Sequence, residues 1–296
     1  MPVDIGEKIK QLRLQRKMTQ SELAGDQITR NMLSRVENGA ALPSLPTVWY
    51  LAERLEVPAG FLLAEGKDDR IWRKMNRIES IRRMLTEGDA RICMQLCQGE
   101  DEDGGADDEI YLIMAQCSLK LAVEAFEQGR LHKSCAALDD ALEYADRTVY
   151  DTYGIRAAAT LYFRFMHKLS PMLYSEKLTD VEDLAVGSSD AFGQYVLAME
   201  SLEAGEMRRV EYYLSTPRTD AWSAHFRAHI SLEQGDYEKA YAELQQLLHS
   251  EQAIGRVLMY SIFCDMETCC RELEDYKGAY EYAQNKVTLL EKMLQK

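Results

Sequence analysis

Proline is scarce in this sequence, with six in 296 residues, while Ala, Leu, Glu and Met are abundant. Few chain breakers and many strong helix formers point to an all-α fold. No long apolar run exists. A membrane span needs about 20 such residues together, so no transmembrane helix is expected. The opening stretch, MPVDIGEKIKQLRLQRK, carries charges where a secretory signal would need an apolar segment. A cytoplasmic protein is the expectation. The seven cysteines (93, 97, 117, 135, 264, 269 and 270) are odd in number and irregular in spacing. That excludes a disulfide framework and suits free thiols packed among apolar neighbours.

Catalytic signatures are missing as well. There is no HExxH, no GxSxG and no glycine-rich phosphate loop. Cys93 and Cys97 lie one helical turn apart, but neither a histidine nor a second cysteine pair accompanies them, and zinc takes four ligands. The five histidines are scattered. Neither an enzyme nor a metal or cofactor site is expected. The acidic stretch EDEDGGADDE at Glu100–Glu109 does not fit a calcium loop, because its glycines and closing carboxylate are misplaced. It reads as a solvated loop.

What the chain does have is an uneven distribution of charge. Residues 1–85 hold 15 Lys and Arg against 11 Asp and Glu, whereas residues 86–296 hold 20 against 38. The net charge of −14 therefore hides a basic N-terminal part that can approach phosphates and an acidic remainder that cannot.

Five short helices can be drawn in residues 1–66. Ile5, Ile9 and Leu12 repeat at helical spacing. Thr19 followed by Glu22 three residues on has the form of a capping box, opening a second helix that Gly25-Asp26 ends. A third helix starts near Thr29, carries Met32, Leu33 and Val36 as its apolar residues, and stops at Asn38-Gly39. Val48, Leu51, Ala52 and Leu55 mark a fourth, and Pro58 precedes a fifth with Phe61 and Leu62. Two short helices joined by a tight turn can place the second in the major groove while the first crosses the backbone.

The stretch TQSELAGDQITRNMLSRVENGAALPS, followed by LAERLEVPAGFLL, resembles the Xre/lambda-repressor-like helix-turn-helix family over roughly residues 4–64. The turn between helices two and three is one residue shorter than in many phage repressors, and in this it is similar to the PlcR/Rgg group of peptide-sensing regulators. The resemblance implies a DNA-binding set of Gln20, Thr29, Arg30, Asn31, Ser34, Arg35 and Asn38. Within it Gln20 and Asn38 match backbone-contacting positions, and Arg30, Asn31, Ser34 and Arg35 match positions facing base edges. The chemistry suits these roles, since Arg can grip guanine, and Asn adenine, with two bonds. The resemblance also implies that Arg13 pairs with Glu37 as a structural ion pair tying helix one to helix three.

Residues 67–85, KDDRIWRKMNRIESIRRML, read as a linker helix with a solvated basic face. Beyond them one pattern recurs: an apolar residue, Glu, any residue, Gly, any residue, an apolar residue. It appears as Phe126-EQGR-Leu131, Leu202-EAGE-Met207 and Leu232-EQGD-Tyr237, with a looser copy around Gly88 and a glycine-free copy, Leu273-ED-Tyr276. Each copy joins two amphipathic helices, which must stack on neighbours to bury their apolar faces. The long interval between Gly129 and Gly205 has room for one further pair turning near Pro171. Residues Trp222 to Leu248 resemble a tetratricopeptide repeat. About five pairs in a right-handed superhelix over 86–296 are expected. Its many tyrosines (Tyr212, Tyr213, Tyr237, Tyr241, Tyr276, Tyr280, Tyr282) are assigned to the core, and Cys269 and Cys270 to different helix faces. The last helix, ending LLEKMLQK, caps the array or mediates dimerisation.

The reading is an all-α protein with three parts: a DNA-binding domain at 1–66, a linker helix at 67–85, and a repeat domain at 86–296. The repeat domain dimerises the protein on an inverted-repeat DNA site. The resemblance to peptide-sensing regulators implies quorum sensing, with a short peptide in the repeat groove. Such sensors often hold the peptide backbone with Asn amides, however, and after residue 75 this chain has only Asn76 and Asn285. The competing reading is a DNA-tethered scaffold whose repeats bind a partner protein without any small ligand.

Overall fold

The computed structural model describes residues 5–64, 67–102, 106–178, 190–216 and 218–295, with side chains described except at 67–76 and 100–102. Among the described residues there are sixteen α-helices and no strand. The chain divides into two compact units, the first running to Arg83 and the second holding Met84–Gly99 and Ala106–Lys296.

In the first unit, α1 (Ile5–Gln15), α2 (Gln20–Ala24), α3 (Arg30–Glu37), α4 (Leu45–Arg54) and α5 (Ala59–Leu63) precede the long α6 (Lys67–Glu87). Local chemistry sets the helix starts. Thr19, Thr29 and Ser44 each turn a side-chain oxygen to a backbone N–H of the first turn. The Thr19–Glu22 capping box is reciprocal, with Thr19 N donating to Glu22 Oε2 at 2.6 Å and Glu22 N to Thr19 Oγ1 at 3.2 Å. Ile9, Leu23, Leu33, Val36, Val48, Leu51, Leu55 and Leu62 form one buried core. Helices α1 and α3 meet closely at Gly6, where a Cβ would lie 2.0 Å from the Val36 carbonyl oxygen.

The second unit holds α7 (Ala90–Glu102), α8 (Asp108–Glu127), α9 (Leu131–Asp146), α10 (Tyr153–Leu169), α11 (Ala191–Glu203), α12 (Met207–Ser215), α13 (Ala221–Glu233), α14 (Tyr237–Leu248), α15 (Arg256–Glu272) and α16 (Tyr276–Leu294). Four antiparallel-type pairs follow the repeat signature: α8 with α9, α11 with α12, α13 with α14, and α15 with α16. The second helix expected after α10 falls largely on 179–189, outside the described residues.

The glycine of the signature has a conformational reason. Gly129, Gly205 and Gly235 sit at φ +69°, +72° and +79°, the left-handed region that ends a helix. Gly129 N donates back to Phe126 O and Arg130 N to Ala125 O, both at 2.8 Å, and Asp236 N repeats the second bond to Ser231 O at 3.0 Å. In the glycine-free copy Glu274 takes the same place at φ +62°, with Asp275 N on Cys270 O at 2.8 Å. A side chain there costs about 1 kcal/mol that glycine avoids. Glu274→Gly is therefore expected to stabilise the repeat unit by up to about 1 kcal/mol, read as a raised midpoint in urea unfolding. An unchanged or lowered midpoint would show that the turn is not strained. Gly88, in the looser copy, is not left-handed.

Several sequence expectations require correction. The acidic stretch is helical at both ends. Helix α7 runs to Glu102, and Asp107 caps α8 by accepting from Glu109 N and Ile110 N at 3.2 and 3.3 Å, with Asp108 and Glu109 in the first turn. Carboxylates favour a helix N-terminus electrostatically, so acidic composition there marked a helix start. Tyr212, Tyr276 and Tyr280 are exposed, not core, because the second helix of a pair buries one stripe and turns the other outward. In line with the core packing expected of them, Cys269 and Cys270 are both buried, with α15 packed by both α14 and α16. Cys135 and Cys264 are only half-buried. The final helix packs back toward the first signature pair: fully buried Met293, with Leu289, Leu290 and Leu294 beside it, shares a core cluster with Phe126, Leu131 and Val257.

Candidate functional sites

The helix pair α2–α3 is held from three sides. Arg13, on α1, donates from Nε to Glu37 Oε1 at 2.6 Å and from Nη2 to Glu37 Oε2 at 2.9 Å, while Nη1 reaches Met18 O at 2.9 Å. Gln20 Nε2 donates to the same Glu37 Oε2 at 2.8 Å. One carboxylate thus joins α1, α2 and α3. Burial alone would raise the Glu37 carboxyl, but the bonds from Arg13 and Gln20 outweigh it and hold the group below the ordinary carboxylate range. The bond to Glu37 in turn raises Arg13. From α4, Tyr50 Oη donates to Ala24 O at 3.0 Å and Arg54 Nη2 to Glu22 O at 2.5 Å, satisfying carbonyls at the C-terminus of α2. Lys8 likewise reaches from α1 to the carbonyls of Phe61 and Ala64, at 3.0 and 2.5 Å.

With its frame fixed in this way, α3 buries Leu33, Val36 and Glu37 and exposes Arg30, Asn31, Met32 and Arg35, with Ser34 half-buried and Asn38 exposed at the C-cap. Thr29, also exposed, caps the helix by accepting from Met32 N at 3.1 Å. Met32, apolar and at helical spacing with Leu33 and Val36, is nevertheless 37% exposed and shares the outer surface. Among the described residues the side chains of Arg30, Asn31 and Arg35 make no hydrogen bond or ion pair. Gln20 has one amide hydrogen committed to Glu37 and one free. Sequence patterning could not reveal the roles of Lys8, Tyr50 and Arg54, because each bonds a backbone carbonyl at least 26 residues away.

In the second unit two cavities open on the first helices of successive pairs. One, of about 440 Å³, is walled by α8, α10, the start of α11, and Trp222 of α13. The other, of about 190 Å³, is walled by α10, α11, α13 and α15. Aromatic rings run between them. Tyr162 and Phe192 centroids are 4.4 Å apart, Phe192 and Trp222 4.9 Å, and Trp222 and Tyr195 4.8 Å. The second cavity contains a buried His–Asp–His cluster. His229 Nδ1 and Asp265 Oδ2 are 2.7 Å apart, His225 Nε2 lies 3.3 Å from the same oxygen, and His225 Nδ1 is 3.1 Å from Tyr195 Oη. Burial would raise Asp265 and lower His229. The two imidazoles, His229 in a bond and His225 at 3.3 Å, instead hold Asp265 well below its usual range, and the bond to Asp265 raises His229. Nothing in the sequence marked this cluster, since Asp265 lies on α15, 36 residues beyond His229 and further from His225, the two histidines sharing α13. Among the described residues no group of His, Cys, Asp and Glu could hold a metal ion. No described helix is long and apolar enough to cross a membrane.

Residues 9–62 match the family model described as helix-turn-helix. No curated protein matches the chain. Among solved structures, three are similar at low identity. One is Bacillus thuringiensis PlcR in complex with the peptide PapR7 and DNA, at 16% identity, covering 99% of each chain with a TM-score of 0.25. Another is ComR from S. thermophilus in complex with DNA and its signalling peptide ComS, at 15% identity, covering 97% of this chain and 99% of that chain with a TM-score of 0.23. The third is the SHP pheromone receptor Rgg2 of Streptococcus dysgalactiae, at 12% identity, covering 96% of this chain and 99% of that chain with a TM-score of 0.20.

Proposed function

From a chain whose residues 9–62 form a helix-turn-helix domain, we infer a sequence-specific DNA-binding transcriptional regulator. In this reading the repeat domain dimerises the protein and senses a short peptide. The observation that carries the DNA step is the outer face of α3, where Arg30, Asn31 and Arg35 stand exposed with no partner among the described residues, on a helix locked by Arg13, Glu37 and Gln20. Side chains held ready but unpaired can bond base edges without first breaking protein contacts. Met32 offers an apolar contact of the kind a thymine methyl takes. Gln20, Thr29 and Asn38 border this face and are assigned to the phosphate backbone, with Ser34 beside the bases.

Two observations support the sensor and dimer parts. The cavities on the repeat helices join apolar and aromatic walls to polar and charged side chains that can orient a ligand. On α16, Tyr276, Tyr280 and Val287 are exposed at 69%, 66% and 52% and fall within about 40° of one another around the helix. An apolar stripe of that kind suits a second copy, and a two-fold dimer reads an inverted repeat with linked half-sites.

The test is DNA affinity as a function of salt. Affinity should fall steeply between low and moderate salt, because neutralised phosphates release counterions. Arg30→Ala or Arg35→Ala should cost about 1–3 kcal/mol at one base position, while Gln20→Ala should weaken all sequences about equally. Salt-independent binding would exclude the proposed interface, and a change of base preference from Gln20→Ala would exchange the assigned roles.

A further inference from the structure

We propose that the groove formed by the two cavities selects a short apolar peptide of net positive charge and repels acidic ones. The proposal rests on the peptide-sensing reading above and adds the chemical class of the ligand. Its first support is the balance of charge along the groove. The two cavities are lined by five carboxylates, Glu127, Asp190, Glu200, Glu203 and Asp265, against two amines, Lys120 and Lys168. Both amines are engaged within the protein. Lys120 Nζ donates to the Leu85 carbonyl, and Lys168 Nζ is 2.9 Å from both oxygens of Glu203. Three of the carboxylates are engaged as well, Glu203 with Lys168, Glu200 with Arg164 and Asp265 with His229, and Lys120 keeps its charge on a carbonyl, so the selection falls to Glu127. The carboxylate of Glu127, by contrast, is exposed and makes no ion pair or hydrogen bond among the described residues. Residues 86–296, with 38 acidic against 20 basic side chains, set a background potential of the same sign, which a cleft concentrates.

The second support is the character of the walls. Tyr162, Phe192 and Trp222 line the larger cavity beside Glu127. Aromatic faces accept both apolar side chains and cations, so a lysine or arginine there meets a carboxylate and π-surfaces together. Phe165, Leu169, Val196 and Met199 give the smaller cavity an apolar floor.

The third support is a buried donor. His225 is 1% exposed and lines the smaller cavity, yet its Nε2 has no hydrogen-bond partner among the described residues. Asp265 Oδ2 lies 3.3 Å from it but not in line for a bond. In the tautomer that accepts from Tyr195 Oη at Nδ1, 3.1 Å away, the ring N–H is on Nε2. A buried N–H without an acceptor is costly, and a peptide carbonyl is the acceptor that would satisfy it. The imidazole would thus hold peptide backbone in a groove whose described lining contains no asparagine.

The experiment uses the full-length protein and three synthetic heptapeptide pools. All share Leu, Ile, Val and Phe at five positions, and the other two positions carry Lys, Gln or Glu. Binding is measured by calorimetry at low and moderate salt. The Lys pool should bind about tenfold or more tightly than the Glu pool, with the preference shrinking as salt rises. Glu127→Lys, at an exposed and unpartnered position, should bring the two pools to within about threefold of each other. Equal binding of all three pools, or tighter binding of the Glu pool, would overturn the charge selection and leave the peptide reading standing. Silence from every pool would overturn both.

Discussion

Glu37→Ala is expected to destabilise the N-terminal unit by about 3 kcal/mol or more and to weaken DNA binding through loss of fold, not loss of contact. The Glu37 side chain is 1% exposed and that of Arg13 9%. Removing one member of a buried pair leaves the other charge desolvated, which typically costs about 3–5 kcal/mol. Here the carboxylate also holds Gln20, so α2 loses its tie to α3 at the same time. Arg13→Ala should behave in the same way. Glu37→Gln should cost less, because its amide oxygen still accepts one of the three bonds. The folded Glu37 is depressed below its unfolded value. Its contribution is therefore present above the unfolded carboxylate pKa of about 4.3 and is lost as pH falls through the folded value below that. Thermal unfolding of the N-terminal unit at pH 7 and pH 3 measures both. A Glu37→Ala protein that melts like the wild type yet no longer binds DNA would mean that Glu37 belongs to the interface and not to its frame.

Asp265→Asn is expected to have the second large effect, and the effect should depend on pH. Asp265 is depressed, so its contribution is present above the unfolded Asp pKa of about 3.9 and is lost as pH falls through its lower folded value. His229 is raised, so its contribution is present below the unfolded His pKa of about 6.5 and is lost as pH rises through its higher folded value. Both operate between about pH 4 and 6.5. The repeat unit of Asp265→Asn should lose about 3 kcal/mol at pH 5.5 and less at pH 8.5, the side toward which His229 deprotonates and is left with only a hydrogen bond. Urea unfolding at the two pH values tests this. A loss that is the same at both, or larger at pH 8.5, would show that His229 does not charge against Asp265.

These two clusters also mark where the sequence was legible and where it was not. Helix starts in the N-terminal unit were readable because their causes are local. Thr19 and Glu22, and Thr29 and Met32, act within four residues. The repeat glycines were readable for the same reason, since a left-handed turn is a property of one residue. Glu274 shows the limit, because a residue other than glycine occupies that conformation where the neighbouring helices impose it. Burial of polar side chains was not readable. Lys8 and Asp265 look like ordinary solvated charges in sequence, and their partners lie more than 30 residues away. The tyrosines failed for a related reason. Helical spacing says that one stripe of a helix is buried, but not whether a repeat's outer helix turns a given ring inward, as with Tyr213, or outward, as with Tyr212.

The most direct measurement of the central claim is selection of bound sequences from a random duplex pool by the full-length protein. The account predicts enrichment of one inverted repeat, with half-sites about one helical turn or a multiple of it apart, and with preference relaxed at one position of each half-site in Arg30→Ala and at another in Arg35→Ala. Recovery of no motif above the input pool, or of the same motif with the same preferences after both arginines are removed, would contradict it.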